Sequence, residues 1–166
     1  MEVRHENFAD SVARQFSGLK VNENMVKDII FKTGFNSEKP ASWTEEQIMV
    51  FASGLRKLSK PMIIAANKSD TVNAKENLEK IKEEFDYPLI PCSAEAELAL
   101  REAAKDRLVD YIPGNSDFAI KAALNEKQTS ALNFIKKNIL DIYSNTGVQE
   151  ILNYVVFNLL KHIAVF

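Results

Sequence analysis

Lys60–Asp70 reads KPMIIAANKSD, a short apolar run that breaks abruptly into Asn67, Lys68, Ser69 and Asp70. Pro61 cannot continue a helix, and Met62, Ile63, Ile64, Ala65 and Ala66 follow without the alternation of a half-exposed strand. An unalternated run of this length is the pattern of a parallel strand covered on both faces, delivering a polar loop at its carboxyl end.

Upstream, two overlapping capping boxes, Ser42 with Glu45 and Thr44 with Gln47, announce a helix. Its apolar face is Ile48, Phe51, Ala52, Leu55 and Leu58, and its polar face carries Arg56 and Lys57. Phe35 to Ala41, rich in Asn, Ser and Pro after Gly34, reads as a connecting loop. Before it, Asn22 is an N-cap, with Val21 and Val26 spaced as a hydrophobic staple and Met25, Ile29 and Ile30 continuing the helical face. From Glu6 to Phe16, apolar Phe8, Val12 and Phe16 recur every fourth residue until Gly18, so an antiparallel helix pair is expected.

Downstream, Asn73 to Phe85 sets Leu78, Ile81 and Phe85 on one side of an amphipathic crossover helix. Tyr87 to Cys92 then forms a second short buried strand, with Pro88 at its start where a missing donor is tolerated. Strand, helix and strand make a βαβ unit, right-handed by the usual rule. Ligands in open α/β sheets sit beyond the carboxyl ends of the strands, where both Asn67–Asp70 and Ser93–Ala94 fall. Glu95 to Val109 is helical, Ile112 to Asn115 is a turn, and Asp117 to Leu124 fits no single pattern. Glu126 to Ile142 carries an apolar seam of Leu132, Ile135, Ile139 and Ile142, and Thr146 with Gln149 suggests a capping box for the last helix. The stripe Val148, Ile151, Leu152, Val155, Leu159 and Ile163 needs a partner surface, and the first two helices are the expected one.

Composition bounds the function classes. The chain has 166 residues, 46% of them hydrophobic, enough for a core in one domain or two small ones. A net charge of −2 gives no reason to expect nucleic acid as the main partner. Cys92 is the single cysteine, and neither cysteine spacing nor a histidine cluster suggests a metal. No apolar run reaches membrane-spanning length and the first residues lack a signal core, so a soluble, cytoplasmic protein without membrane contact is expected.

The loop chemistry suits one base. Guanine presents N1–H and an exocyclic amine as parallel donors, and a single ionised carboxylate, Asp70, can accept both. Adenine would leave that carboxylate desolvated and poorly paired. Asn67 would hold the loop with its amide and meet N7, the methylenes of Lys68 would cover the base, and Ser69 would point outward. At the second strand end, Ser93 would brace the loop and the Ala94 N–H would donate to O6. Asn, Lys, Ser and Asp also favour ordinary surface turns, so the tetrapeptide acquires meaning only from the strands that flank it.

KPMIIAANKSD, PLIPCSAEAELALREAA from Pro88, Val109–Gly114 and Thr146–Glu150 together resemble the Obg-like GTPases, in particular their YchF-related archaeal and fungal branch. The resemblance implies GTP or GDP as ligand, with NKxD and SA reading guanine. It also implies a helical insertion before NKxD, a TGS domain after the last helices, and association with the ribosome or RNA through a parent protein. The sequence contains no G-x-x-x-x-G-K-[ST] and no D-x-x-G switch, so no residues are placed for phosphates or Mg²⁺. The expectation is therefore a piece of a longer GTPase, with Mg²⁺ belonging to the intact parent only and no catalytic or metal-binding residue here. The expected fold is α/β, a partial P-loop NTPase-type βαβ unit with parallel strands combined with a mostly helical subdomain. Residues 1–41 are the insertion segment, 42–114 the guanine-recognition part, and 115–166 a helical segment packing on 1–41, with Val165–Phe166 leading towards the TGS domain.

A different class of function is a helical interaction module, binding protein or ribosome, in which NKSD is only a turn. The other conspicuous residues have plain roles: Cys92 a buried inert thiol, His5 and His162 packing or surface groups, Trp43 a cover over a helix start, and Glu79 to Glu84 a solvated helix face. If the stripe beginning at Val148 is uncovered, its exposed helical surface could drive association.

Overall fold

A computed structural model describes residues 7–163. The chain divides between Met62 and Ile63 into two compact units. Residues 42–62 thus stand with the N-terminal helices, whereas the sequence reading grouped them with the recognition part. His5, Glu6 and Val165–Phe166 lie outside the described residues.

Among its described residues the N-terminal unit has three α-helices, α1 (Phe8–Gln15), α2 (Glu23–Thr33) and α3 (Glu45–Ser59). Asn22 caps α2 by accepting the Met25 N–H at 3.0 Å, and Val21 and Val26 are both buried, as a staple requires. Gly34 ends α2 with φ +68°, the left-handed geometry that glycine adopts without a Cβ penalty. Of the two capping boxes, only Thr44–Gln47 forms; Ser42 closes a 3₁₀ turn, its hydroxyl donating to the Lys39 carbonyl. Ala9, Val21, Val26, Ile29, Phe51 and Leu55 make the core. Trp43 lies within 5.4 Å, ring centre to ring centre, of Phe8, Phe35 and Phe51, so it holds together the start of α1, the loop and α3.

The C-terminal unit begins with β1 (Ile64–Ala66), α4 (Ala74–Glu84) and β2 (Leu89–Pro91). The strands are parallel, with Ile64, Ala65 and Ala66 opposite Leu89, Ile90 and Pro91. The crossover therefore forms, but β1 is not the covered strand that the apolar run implied. Ala65 is exposed, Ile64 and Ala66 are half-buried, and Met62 is 42% exposed. The reason is the size of the sheet: among the described residues β1 pairs only with β2, and each contributes three residues.

Next come α5 (Ala94–Lys105), β3 (Val109–Asp110), β4 (Ala119–Ile120) and α6 (Glu126–Ile135), which runs on through a π-helical segment (Lys136–Leu140) into α7 (Asp141–Tyr143). The stretch without a clear pattern is thus an edge, β4, antiparallel to β3 with Val109 opposite Ile120. Leu132, Ile135 and Ile139 of the seam are buried, with Leu140, against Ala96, Leu100, Val109 and Tyr111, whereas Ile142, its last member, is 60% exposed, because the π-helical segment shifts the helical register before it. The last helix, α8 (Val148–Asn153), continues as a second π-helical segment (Tyr154–Leu159), and neither contains a buried residue. Of its stripe, Val148, Ile151, Val155 and Leu159 are half-buried, and Leu152 and Ile163 are more than half exposed. The Thr146–Gln149 box does not form: Gly147, at φ +81°, takes the cap position without a side-chain bond, and Thr146 is turned inward.

Candidate functional site

The loop after β1 is held by its own polar groups. Asn67 Oδ1 accepts the Lys68 N–H at 2.9 Å and reaches across to accept the Ala94 N–H at 3.1 Å. One side-chain oxygen therefore fastens the carboxyl ends of both parallel strands. Its Nδ2 has no partner among the described residues. Lys68 sits at φ +64°, a region that non-glycine residues rarely occupy. The surrounding bonds fix it there, because Thr71 donates to the Lys68 carbonyl from its backbone N–H at 3.2 Å and its hydroxyl at 3.0 Å. Lys68 is exposed and Asp70 half-buried, and the Asp70 carboxylate makes no hydrogen bond or ion pair among the described residues.

Ser69 corrects the expectation of an outward side chain. It is buried, its hydroxyl donates to the Ala66 carbonyl at 2.8 Å, and the same oxygen accepts the Cys92 N–H at 3.1 Å. Its own N–H donates to the Cys92 carbonyl at 3.0 Å. The loop thus extends the β1–β2 pairing by side-chain bonding where the strands have ended. A small hydroxyl buried between two strand ends reads in sequence like any turn serine.

At the end of β2, Ser93 is buried and its Oγ accepts the Ala96 N–H at 3.3 Å, capping α5. Its N–H goes to the Thr146 carbonyl at 2.9 Å. The structure thus brings Asn67 and Ala94 into direct contact and places Lys68 and Asp70 on the same loop, while the Ser93 hydroxyl serves α5. Asp70 and Ser93 both line a cleft of about 240 Å³, whose other walls include Ala96, Ala99 and Phe134. Asn67 and Lys68 line a separate cleft of about 460 Å³ with Ala74 and Leu78, so the structure does not bring them and Asp70 to the wall of one cavity. Burial raises the pKa of the Cys92 thiol, which makes it unreactive rather than nucleophilic. Among the described residues no group of three or more His, Cys, Asp or Glu converges to hold a metal ion.

The sequence reading missed the layer beneath this surface. Glu97, on α5, is buried, and its Oε2 accepts the Thr146 hydroxyl at 2.5 Å and the Tyr111 hydroxyl at 2.7 Å, while Oε1 accepts Arg101 Nε at 2.6 Å. Burial pushes the Glu97 carboxyl up, but the three donors together with the Arg101 charge outweigh it and hold the group below its ordinary value. Burial, and then the bond to Glu97, push the Tyr111 hydroxyl the other way. Glu97 stands three and seven residues before Leu100 and Ala104, on the same face of α5, so helical spacing was the signal for its burial, and the partners that satisfy it lie 14 and 49 positions away.

Residues 65–166 match the family model described as Obg-like GTPase YGR210-like, G4 motif-containing domain. The uncharacterized GTP-binding protein MJ1332 of Methanocaldococcus jannaschii is 40% identical over 98% of this chain, which spans 41% of that protein's length. GTPase Obg of Halalkalibacterium halodurans is 38% identical over 42% of the chain and 16% of its own length. The crystal structure of a GTP binding protein from Pyrococcus horikoshii superposes with a TM-score of 0.68 at 37% identity, covering 96% of this chain and 42% of that one. In the described residues no helix is long and apolar enough to cross a membrane. With most of its length inside the family match, this chain belongs to the Obg-like GTPase family, in the YGR210-like group with a G4 motif-containing domain.

Proposed function

We propose that this chain is the base-reading segment of an Obg-like GTPase, binding GTP or GDP through guanine and hydrolysing nothing by itself. The observation that carries the reading is the Asp70 carboxylate, unpartnered among the described residues at the rim of a cleft, on a loop tied to the neighbouring strand end. Asp70 accepts N1–H and the exocyclic amine of guanine, the free Asn67 Nδ2 donates to N7, and the Lys68 stem covers one face of the ring. The Ala94 N–H, given to Asn67 Oδ1 in the structure, is then shared with O6 in a three-centre bond. The β1–α4–β2 crossover is the corresponding part of a P-loop NTPase-type sheet. Phosphates, Mg²⁺ and any ribosome or RNA contact fall to other parts of a longer protein, as the 41% coverage of the archaeal relative suits.

The test is a heteronuclear NMR titration of the chain with GDP and with ADP, which reads affinities as weak as about 1 mM, roughly −4 kcal/mol. The reading predicts that GDP moves the Lys68, Asp70 and Ala94 amides at lower concentration than ADP does. Equal responses to both would refute it.

A second reading, a helical interaction module, has its own observation. Phe16, Leu19 and Ile48, each more than two-fifths exposed, line an apolar groove in the N-terminal unit with Val12, Trp43 and Phe51. On this reading NKSD is only a turn and GDP and ADP give equal responses, so the same titration separates the two.

A further inference from the structure

We propose that the Thr146–Gly147 turn, locked by Glu97, positions the Ser93–Ala94 strand end for base reading, which makes Glu97 a positioning residue for guanine selection. The inference rests on the proposed function and adds residues that touch no nucleotide.

The link is continuous. Glu97 Oε2 accepts the Thr146 hydroxyl at 2.5 Å, the Thr146 carbonyl accepts the Ser93 N–H at 2.9 Å, and the adjacent Ala94 N–H donates to Asn67 at 3.1 Å. Water cannot substitute at these points, because Thr146, Ser93 and Glu97 are 0%, 1% and 4% exposed. Gly147 adds a steric clamp: a Cβ there would lie 2.1 Å from the Pro91 carbonyl oxygen and 2.6 Å from Cys92 Cβ. The turn is therefore pressed against the end of β2 and cannot shift without moving the backbone that presents Ala94. Tyr111 holds the same oxygen, Oε2, at 2.7 Å, and Arg101 holds Oε1 at 2.6 Å. A site that selects by hydrogen-bond direction is sensitive to sub-ångström displacement of its donors, and groups behind the contacting ones set that displacement.

Two substitutions cut the link while keeping volume. Glu97→Gln removes the charge and replaces one acceptor oxygen with an amide –NH₂: turned toward Arg101 it meets a donor, and turned toward the two hydroxyls it reverses those bonds, so that Thr146 and Tyr111 accept from a neutral group instead of donating to a carboxylate. Thr146→Val removes the hydroxyl but keeps the β-branched shape. The GDP-over-ADP affinity ratio of the 166-residue chain, read by NMR, should fall about tenfold in both, the effect of one lost or misdirected hydrogen bond, and Thr146→Ser should restore it. A network that only stabilises the fold would lower the unfolding midpoint and leave the ratio of the folded variants unchanged, and that result overturns the proposal.

Should the variants not fold, the unsubstituted chain still decides. GDP must shift the Ser93, Thr146 and Gly147 amides with the same midpoint as Lys68 and Asp70, since coupling between groups is reciprocal. Unmoved Thr146 and Gly147 amides overturn the positioning role. A guanine-selective response that Asp70→Asn abolishes but Glu97→Gln and Thr146→Val leave intact refutes this inference alone. The absence of any guanine-selective response removes the proposed function and this inference with it.

Discussion

Replacing Gly147 with alanine should unfold much of the C-terminal unit's packing around β2. Two costs combine. At φ +81° an L-residue pays the left-handed penalty, about 1–2 kcal/mol. The added methyl would also meet the Pro91 carbonyl oxygen at 2.1 Å and Cys92 Cα at 2.7 Å, and backbone atoms cannot swing aside as a flexible side chain can. Overpacking of this kind costs about 1–3 kcal/mol, so the total is about 2–5 kcal/mol. Relief requires separating the turn from β2, which breaks the Ser93 N–H bond to Thr146. Gly34→Ala isolates the first cost, because Gly34 shares a positive φ of +68° but an added Cβ there meets nothing within 4 Å. Urea unfolding followed by far-UV circular dichroism measures Gly147→Ala, and Trp43 fluorescence follows Gly34→Ala in the N-terminal unit. The expected order is a loss of about 1–2 kcal/mol for Gly34→Ala and clearly more for Gly147→Ala. Equal losses would refute the argument that Gly147 is clamped against β2.

Other consequences are equally direct. Glu97 is held below its ordinary value by Thr146, Tyr111 and Arg101, so its contribution to folding is complete above the unfolded-state pKa and is lost as pH falls through the lowered folded value. Unfolding measured across the acid range should show this slope in the native chain and a shallower one in Glu97→Gln. Ser69→Ala removes a buried hydroxyl bonded to Ala66 and Cys92 and should cost about 1–2 kcal/mol by chemical denaturation, a larger loss than a surface turn serine would give. Trp43→Ala removes ring contacts to Phe8, Phe35 and Phe51 and should destabilise the N-terminal unit by about 2–4 kcal/mol, seen as earlier amide exchange of Val26 and Ile29.

Local chemistry was legible in the sequence wherever cause and effect lie within a few residues. Asn22 and Thr44 cap the helices they announce, and the apolar run before Asn67 does become a strand parallel to Leu89–Pro91. The two loops expected to meet do meet, through Asn67 and Ala94. What escaped depends on distance along the chain. Ser69, Glu97 and Thr146 are polar residues in polar-looking stretches, buried because partners 23 and 49 positions away satisfy them. Periodicity that registers apolar residues alone passes over a polar member of a buried face such as Glu97, three residues before Leu100. β4 is two exposed residues long, too short for alternation to register, and the π-helical turns after Ile135 and Asn153 leave no compositional mark. The apolar run of β1 was misjudged for another reason: its composition suits cover on both faces, and a two-stranded sheet does not supply it.

The most direct measurement exchanges the base and the residue together. Asp70 offers two acceptor oxygens to the two donors of guanine, whereas asparagine offers one acceptor and one donor, the complement of xanthine, which carries a carbonyl where guanine carries its amine. NMR titration of the chain and of Asp70→Asn with guanosine and xanthosine diphosphates should show guanine preferred by the native chain and xanthine by the variant. An Asp70→Asn chain that remains folded and keeps the native order of preference would contradict base reading by Asp70.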